Sequence, residues 1–176
     1  MSSTKKNTYG DWALVAGATT GIGAELTSQL AAKGYNLVLI ARRENDLKEQ
    51  ASSLKTRYGV EVSYVSADLT TQEGINKVTQ IKEEIGLLVI SAGIEVNGSF
   101  WKTAIEKEMA LIQLNVMAPL QLTHHFCKGM VDRKKGGILL ISSLSGHMPN
   151  PYFSNYAGTK AYILNFGASL YGELKP

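Results

Sequence analysis

Five short apolar runs, Trp12–Ala16, Asn36–Ile40, Glu61–Val65, Leu87–Ile90 and Ile138–Ser142, recur along the chain, separated by longer stretches of mixed polarity. They are mostly continuous in apolar character rather than alternating, which predicts strands buried on both faces. The intervening stretches predict helices at about 22–33, 44–58, 71–84 and 103–130, with a last helix over 154–174. In the first of these, Ile22, Leu26 and Leu30 recur every four residues, and Gly34 stands where a left-handed C-terminal cap is expected. Strands joined through helices require right-handed crossovers, so the pattern predicts an α/β, three-layer fold doubly wound around a parallel sheet. No repeat, low-complexity tract or linker divides the chain. Residues 1–10 read as a polar tail and 11–176 as one domain whose alternation stops in mid-pattern.

Composition narrows the classes. The 176 residues are 44% hydrophobic and 19% charged, with 17 Gly against 4 Pro, which is globular. The net charge of +3 is unclustered apart from Arg42-Arg43 and Arg133-Lys134-Lys135, too little for the basic stripe of a nucleic-acid binder. The most apolar stretch, Ile85–Ile94, falls short of the ~18 residues a membrane span needs. A single cysteine, Cys127, gives no internal disulfide framework and suits a reducing compartment. A soluble cytoplasmic protein with neither nucleic acid nor membrane as partner is expected.

The first chemical signal is Gly17-Ala18-Thr19-Thr20-Gly21-Ile22-Gly23, which follows a predicted strand and opens a helix, as a dinucleotide site requires. Glycines there allow positive φ and close approach of a pyrophosphate, and the helix start offers free N–H groups. A tight turn without a ligand would use the same glycines. The second strand runs into Ala41-Arg42-Arg43 where a NAD site normally places an acid, and a guanidinium pairs with a 2′-phosphate that a carboxylate would repel. NADP(H) is therefore preferred, with NAD(H) still allowed, although two arginines that merely solvate the next helix, paired with Glu44, would read alike. Asp68-Leu69 and Ser91-Ala92-Gly93 follow the third and fourth strands, at the edge where doubly wound sheets bind ligands. Asp68 suits an adenine amino group, or equally the cap of the helix near Thr71.

The second signal is Ser143 at the tip of the last strand, followed by Tyr156-Ala157-Gly158-Thr159-Lys160. Tyr156 and Lys160, four apart, share one helix face. A tyrosine hydroxyl normally titrates near ~10, so acid/base work at neutral pH calls for a nearby positive charge, which Lys160 supplies. Ser143 can steady a substrate oxygen. Pro119 has no N–H for the carbonyl of Asn115 four residues earlier, and that carbonyl beside the Lys160 ammonium would seat an ordered water and a proton path. A simple proline kink relieved by bulk water fits the same spacing.

Gly17-x-x-x-Gly21-x-Gly23, Asp68-Leu69, Ala92-Gly93, Asn115, Ser143 and Tyr156-x-x-x-Lys160 together resemble the short-chain dehydrogenase/reductase family, from Trp12 onward. The resemblance implies a Rossmann fold of strand order 3-2-1-4-5 in the portion present, without the C-terminal strands expected of the family. It implies Tyr156 as general acid/base, Lys160 on the nicotinamide ribose, Ser143 orienting the substrate and Asn115 holding a relay water. Cofactor contacts would come from Gly17, Thr19, Thr20, Gly21, Ile22, Gly23, Arg42, Arg43, Asp68, Leu69, Ala92, Gly93, Asn115, Tyr156 and Lys160, and substrate contacts from Ser143 and Tyr156. The expected activity is hydride transfer between NADP(H) and a small-molecule carbonyl/alcohol substrate. A homodimer or homotetramer through the helices near 103–130 and 154–174 is expected. Ala16 replaces the family's usual Thr, and Ser91 its usual Asn, each removing one supporting hydrogen bond. Because the chain stops at Lys175-Pro176, a nucleotide-binding sensor or scaffold without turnover is the rival reading, and a fragment that competes for a relative's partner surface a third.

No metal is expected: His124 and His125 point in different directions on a helix, without partners at ligand spacing. Cys127 reads as a small packing residue, and Lys5-Lys6 as solvated tail. His147, Met148, Tyr152 and Phe153, between Ser143 and Tyr156, stand where they would border a substrate.

Overall fold

A computed structural model describes residues 9–175. The polar tail, Lys5-Lys6 within it, therefore lies outside the described residues except for Tyr9 and Gly10, as does Pro176. Five strands, β1 (Trp12–Ala16), β2 (Asn36–Ala41), β3 (Val62–Ser66), β4 (Ile85–Ile90) and β5 (Gly137–Leu140), form one sheet in the order β3-β2-β1-β4-β5. Every pairing is parallel, with Leu14 facing Val38 on one side and Leu88 on the other. This is the doubly wound order that the motif pattern implied.

The continuous apolar runs follow from burial on both faces. Ala13 and Val15 pack with Leu37, Leu39, Leu47 and Val89 on one side of the sheet. Leu14 and Ala16 pack with Val38, Ile40, Leu88, Leu122 and Phe126 on the other. Successive side chains alternate faces, yet both faces are covered, so no position in β1 from Ala13 to Ala16 is free to be polar.

Helices α1 (Gly21–Ala32) and α2 (Glu44–Tyr58) lie close to expectation. Gly34 takes φ +80 and closes α1 with bonds from its N–H to Ala31 and from Tyr35 N–H to Leu30. Other expectations need correction. Helix α3 is Gln72–Thr79 rather than 71–84, because residues 80–84 form the connection that leads the chain into β4, which begins at Ile85, two residues earlier than expected. The single long helix expected over 103–130 is three pieces: α4 (Ile105–Ile112), a π-helical segment (Gln113–Met117) and α5 (Ala118–Asp132). Pro119 cannot donate to Asn115, and the ladder widens to i+5 spacing, with Ala118 N–H donating to Gln113. The last helix, α6 (Ser154–Leu174), is as expected. Strand β5 ends at Leu140, short of Ser142, because the Ile141 carbonyl and the Ser142 hydroxyl turn to α6 instead. Among the described residues no helix is long and apolar enough to cross a membrane.

Leu88, fully buried in the middle of β4, carries the face on which α5 packs. Leu88→Ala is expected to lower the unfolding free energy by about 2–5 kcal/mol in urea titration, the cost of a rigid core that closes poorly around a cavity. A loss under about 0.5 kcal/mol would contradict a packed two-sided sheet.

Candidate functional site

All five strands point their carboxyl ends at one edge, so the loops that follow β1, β2, β3, β4 and β5 meet there. After β1, the Ala16 carbonyl accepts the N–H groups of Ser91 and Ala92, both at 2.9 Å, and pulls the turn onto the end of β4. Gly17 takes φ +84, and a Cβ on it would lie 2.6 Å from Ala92 N. At Gly23 a Cβ would lie 2.0 Å from the Gly17 carbonyl oxygen, so the turn and the first turn of α1 touch backbone to backbone. Gln50 on α2 braces the turn from behind, donating to the Ala18 carbonyl at 2.9 Å. Thr20 starts α1 without using its hydroxyl as a cap, and no acid stands in the first turn. The N-terminal N–H groups and the helix dipole are thereby left to attract an anion.

At the ends of β2 and β3 the two arginines divide. Arg43 pairs with Asp46 along α2. Arg42 has no ion pair among the described residues, neither with Glu44 nor with any other acid, and its charge reaches Asp68. Asp68 is not the cap of α3: Thr71 is, accepting from Gly74 N–H at 3.0 Å. Asp68 instead takes the Thr70 N–H at 2.9 Å and the Thr70 hydroxyl at 2.8 Å. The Thr70 backbone bond holds the Asp68 carboxyl below its ordinary value against the opposing effect of burial, with lesser help from the Thr70 hydroxyl and Arg42.

At the other end stand the residues of the second signal. Tyr156 and Lys160 share a face of α6, with the Lys160 ammonium 5.7 Å from the centre of the Tyr156 ring. Lys160 is 9% exposed and has no acidic partner among the described residues. Its Nζ donates to the Ile141 carbonyl at 3.0 Å, and burial holds its pKa below the ordinary lysine value. Ser143 sits just past β5 and accepts from Ser145 N–H at 3.2 Å. Asn115, buried in the π-helical segment, grips Ile94 with both ends of its amide: Oδ1 accepts the Ile94 N–H at 3.0 Å and Nδ2 donates to the Ile94 carbonyl at 2.8 Å. A Cβ on Gly93 would lie 3.3 Å from Asn115 Oδ1 and 3.6 Å from Lys160 Nζ, so the glycine lets the cleft floor lie against both.

A cleft of about 1020 Å³ joins these parts. Gly17, Thr19, Thr20, Gly21, Ile22, Arg42, Arg43, Asp68, Leu69, Ala92, Gly93, Ser143, Tyr156 and Lys160 line it. Gly23 and Asn115 do not; they support the wall from behind. Several supporting residues carry no signal in the sequence. Ser142 donates to the Lys160 carbonyl at 2.8 Å, and only the fold distinguishes it from its neighbour Ser143. Asn155 donates to the buried Glu108 carboxylate at 2.7 Å, tying α6 to α4 beside Tyr156. Glu95 enters the cleft next to Ile94. His124 and His125 are exposed on α5, Cys127 is half-buried there, and among the described residues no three His, Cys, Asp or Glu gather as a metal site.

Comparison with known proteins fits this geometry. A family model described as short chain dehydrogenase matches residues 11–176. The chain is 36% identical over 172 residues to the very-long-chain 3-oxoacyl-CoA reductase of Laccaria bicolor, covering 94% of this chain and 51% of that protein. Among solved structures, the bulky-bulky ketone specific alcohol dehydrogenase from Comamonas testosteroni superposes with a TM-score of 0.91 at 32% identity, covering 96% of this chain and 69% of that one. A short-chain dehydrogenase from Sphingobium yanoikuyae in complex with NADPH gives a TM-score of 0.89 at 33% identity, covering 94% and 66%. The chain spans about half the length of the first curated relatives it matches.

The buried lysine sets a pH dependence. Folding disfavours its charged form, so between the lowered folded value and the ordinary 10.5 the unfolded chain binds more protons and stability rises with pH. Measured by urea unfolding, the stability of the protein relative to Lys160→Met is expected to rise as pH increases toward 10.5. A flat difference would contradict a desolvated lysine.

Proposed function

The chain belongs to the short-chain dehydrogenase/reductase family, and from that premise we propose that it carries the cofactor site and proton-transfer residues of an NADP(H)-dependent oxidoreductase that interconverts a carbonyl and an alcohol. The observation that carries this reading is the ammonium of Lys160, without a carboxylate partner among the described residues, beside Tyr156 and on the same cleft as the glycine turn.

The residues present fit a dinucleotide. The open side of Gly21, where a Cβ would meet nothing within 4 Å, and the acid-free start of α1 suit a pyrophosphate held by residues 17–23, in a turn whose close packing Gly17 and Gly23 allow. Arg42, without an ion pair among the described residues, and Arg43 beside it suit a 2′-phosphate, so NADP(H) is favoured over NAD(H). Asp68 and Leu69 would meet the adenine, and Ala92 and Gly93 the middle of the cofactor. Asn115, Tyr156 and Lys160 would surround the nicotinamide ribose. When bound, the nicotinamide supplies or accepts the hydride.

The chain's own groups handle the oxygen and the proton. Ser143 hydrogen-bonds the substrate oxygen and steadies the charge that grows on it. Tyr156 gives its hydroxyl proton to that oxygen in reduction and takes it back in oxidation. The Lys160 ammonium stabilises the phenolate, and its low affinity for a proton suits it to pass one on. A water on the Asn115 carbonyl would return the proton from solvent. On the segment between Ser143 and Tyr156, Leu144 is 82% exposed, Met148 63% and Tyr152 66%, which supports a bulky apolar ketone as substrate class. The Laccaria and Comamonas relatives, named for a 3-oxoacyl thioester and for bulky ketones, agree with that class.

Along α4, Ile105, Met109 and Ile112 form an exposed apolar stripe at helical spacing. It supports self-association, as a dimer or tetramer, through the helices at 103–130 and 154–174. A cytoplasmic location completes the proposal, resting on the single cysteine.

With NADPH and a panel of bulky ketones and 3-oxoacyl thioesters, Tyr156→Phe is expected to lose about 10²–10⁴-fold in turnover. NADPH affinity by fluorescence titration should change little. Equal turnover in variant and parent would remove Tyr156 from its role, and NADPH binding without parent turnover would favour a sensor. Arg42→Asp is expected to weaken NADPH binding by about 1.5–3 kcal/mol and leave NADH nearly unaffected. Equal losses for both cofactors would contradict a 2′-phosphate at Arg42.

A further inference from the structure

Thr159 lies between the two chemical residues of α6, three after Tyr156 and one before Lys160, and is 2% exposed. Its Oγ1 donates to the Tyr156 carbonyl at 2.7 Å and accepts from Asn115 Nδ2 at 3.2 Å. These directions are forced. A hydroxyl has one proton, and a carbonyl can only accept it, so toward Asn115 the threonine must act as acceptor. The Asn115 amide is equally determined, since its oxygen faces the Ile94 N–H and its nitrogen faces the Ile94 carbonyl and Thr159. One of its two N–H groups holds Ile94 and the other holds Thr159.

Ile94 lines the cleft beside Gly93, and Asn115 belongs to the π-helical segment, its side chain meeting Gly93 on the same side as the Lys160 ammonium. An unbroken chain of bonds thus runs from the cleft floor through Asn115 and Thr159 to the backbone of Tyr156. We infer that Thr159 is a positioning residue of the reaction: it locks the helix bearing Tyr156 and Lys160 to Asn115 and the cleft floor. This rests on the oxidoreductase reading given above. Without the hydroxyl, a buried Asn115 N–H has no partner, the Asn115–Ile94 pair loses its tie to α6, and the loss falls on the alignment of Tyr156 and Lys160 rather than on substrate or cofactor binding.

Thr159→Val keeps the branched shape and removes the hydroxyl, whereas Thr159→Ser keeps the hydroxyl and removes a methyl. In Thr159→Val, kcat is expected to fall about tenfold or more, with ketone KM and NADPH Kd within about twofold of the parent. Thr159→Ser should recover most of that kcat. Hydrogen exchange at the Ile94 amide should quicken in the valine variant and stay near the parent rate in the serine variant. A valine variant with parental kcat, or a serine variant as slow as the valine one, overturns the inference. Should the parent show no turnover with NADPH and any ketone, the oxidoreductase reading fails. Ile94 exchange then decides the coupling alone, and equal exchange in Thr159→Val and parent overturns it.

Discussion

Burying an ammonium costs several kcal/mol unless something offsets it, and Lys160 is buried with no carboxylate to pair with among the described residues. The structure compensates with neutral dipoles and holds the lysine at both ends. Its Nζ reaches the Ile141 carbonyl, and its own carbonyl takes the Ser142 hydroxyl. Gly146 lies so close that a Cβ would sit 2.8 Å from the Lys160 carbonyl carbon and oxygen, which seats the loop after β5 directly on α6. No carboxylate among the described residues neutralises the charge, so its field reaches Tyr156.

That site depends on the sheet. In a parallel sheet every strand delivers its following loop to the same edge, so residues as distant as Gly17, Asp68, Gly93 and Lys160 meet without long connections. Two glycines set the depth of the cleft. Gly23 lets α1 approach the turn after β1, and Gly93 lets the floor lie against Asn115 and Lys160. The positive end of α1 and Arg42, which has no ion pair among the described residues, stand in one half of the cleft, and Tyr156 with Ser143 lines the other, where the proposed reaction needs them.

Much of this was legible in the residues. Both faces of the sheet are covered, so the strands read as unbroken apolar runs, and the turn glycines and the Tyr-Lys spacing survive as local patterns. What escaped was whatever depends on contacts across the fold. The break in the helix expected over 103–130 comes at Pro119, which the sequence shows, but the grip of Asn115 on Ile94, twenty-one residues away, does not show in it. Ser142 and Thr159 look like any hydroxyl beside a motif until α6 is packed against β5 and the π segment. Asp68 was legible as a ligand or a cap; Thr71, a better-placed hydroxyl, took the cap and left Asp68 to the cleft.

The central claim is that an unpaired lysine charge, held at the sheet edge, drives proton transfer through Tyr156 while hydride moves to or from the cofactor. The most direct test is a single-turnover reduction of a bulky ketone at saturating NADPH deuterated at the transferring position, with the parent and Lys160→Met compared. The parent should place deuterium on the carbinol carbon, and the methionine variant should retain its NADPH largely unconsumed. Transfer at the parental rate in Lys160→Met, or an alcohol without deuterium, would contradict it.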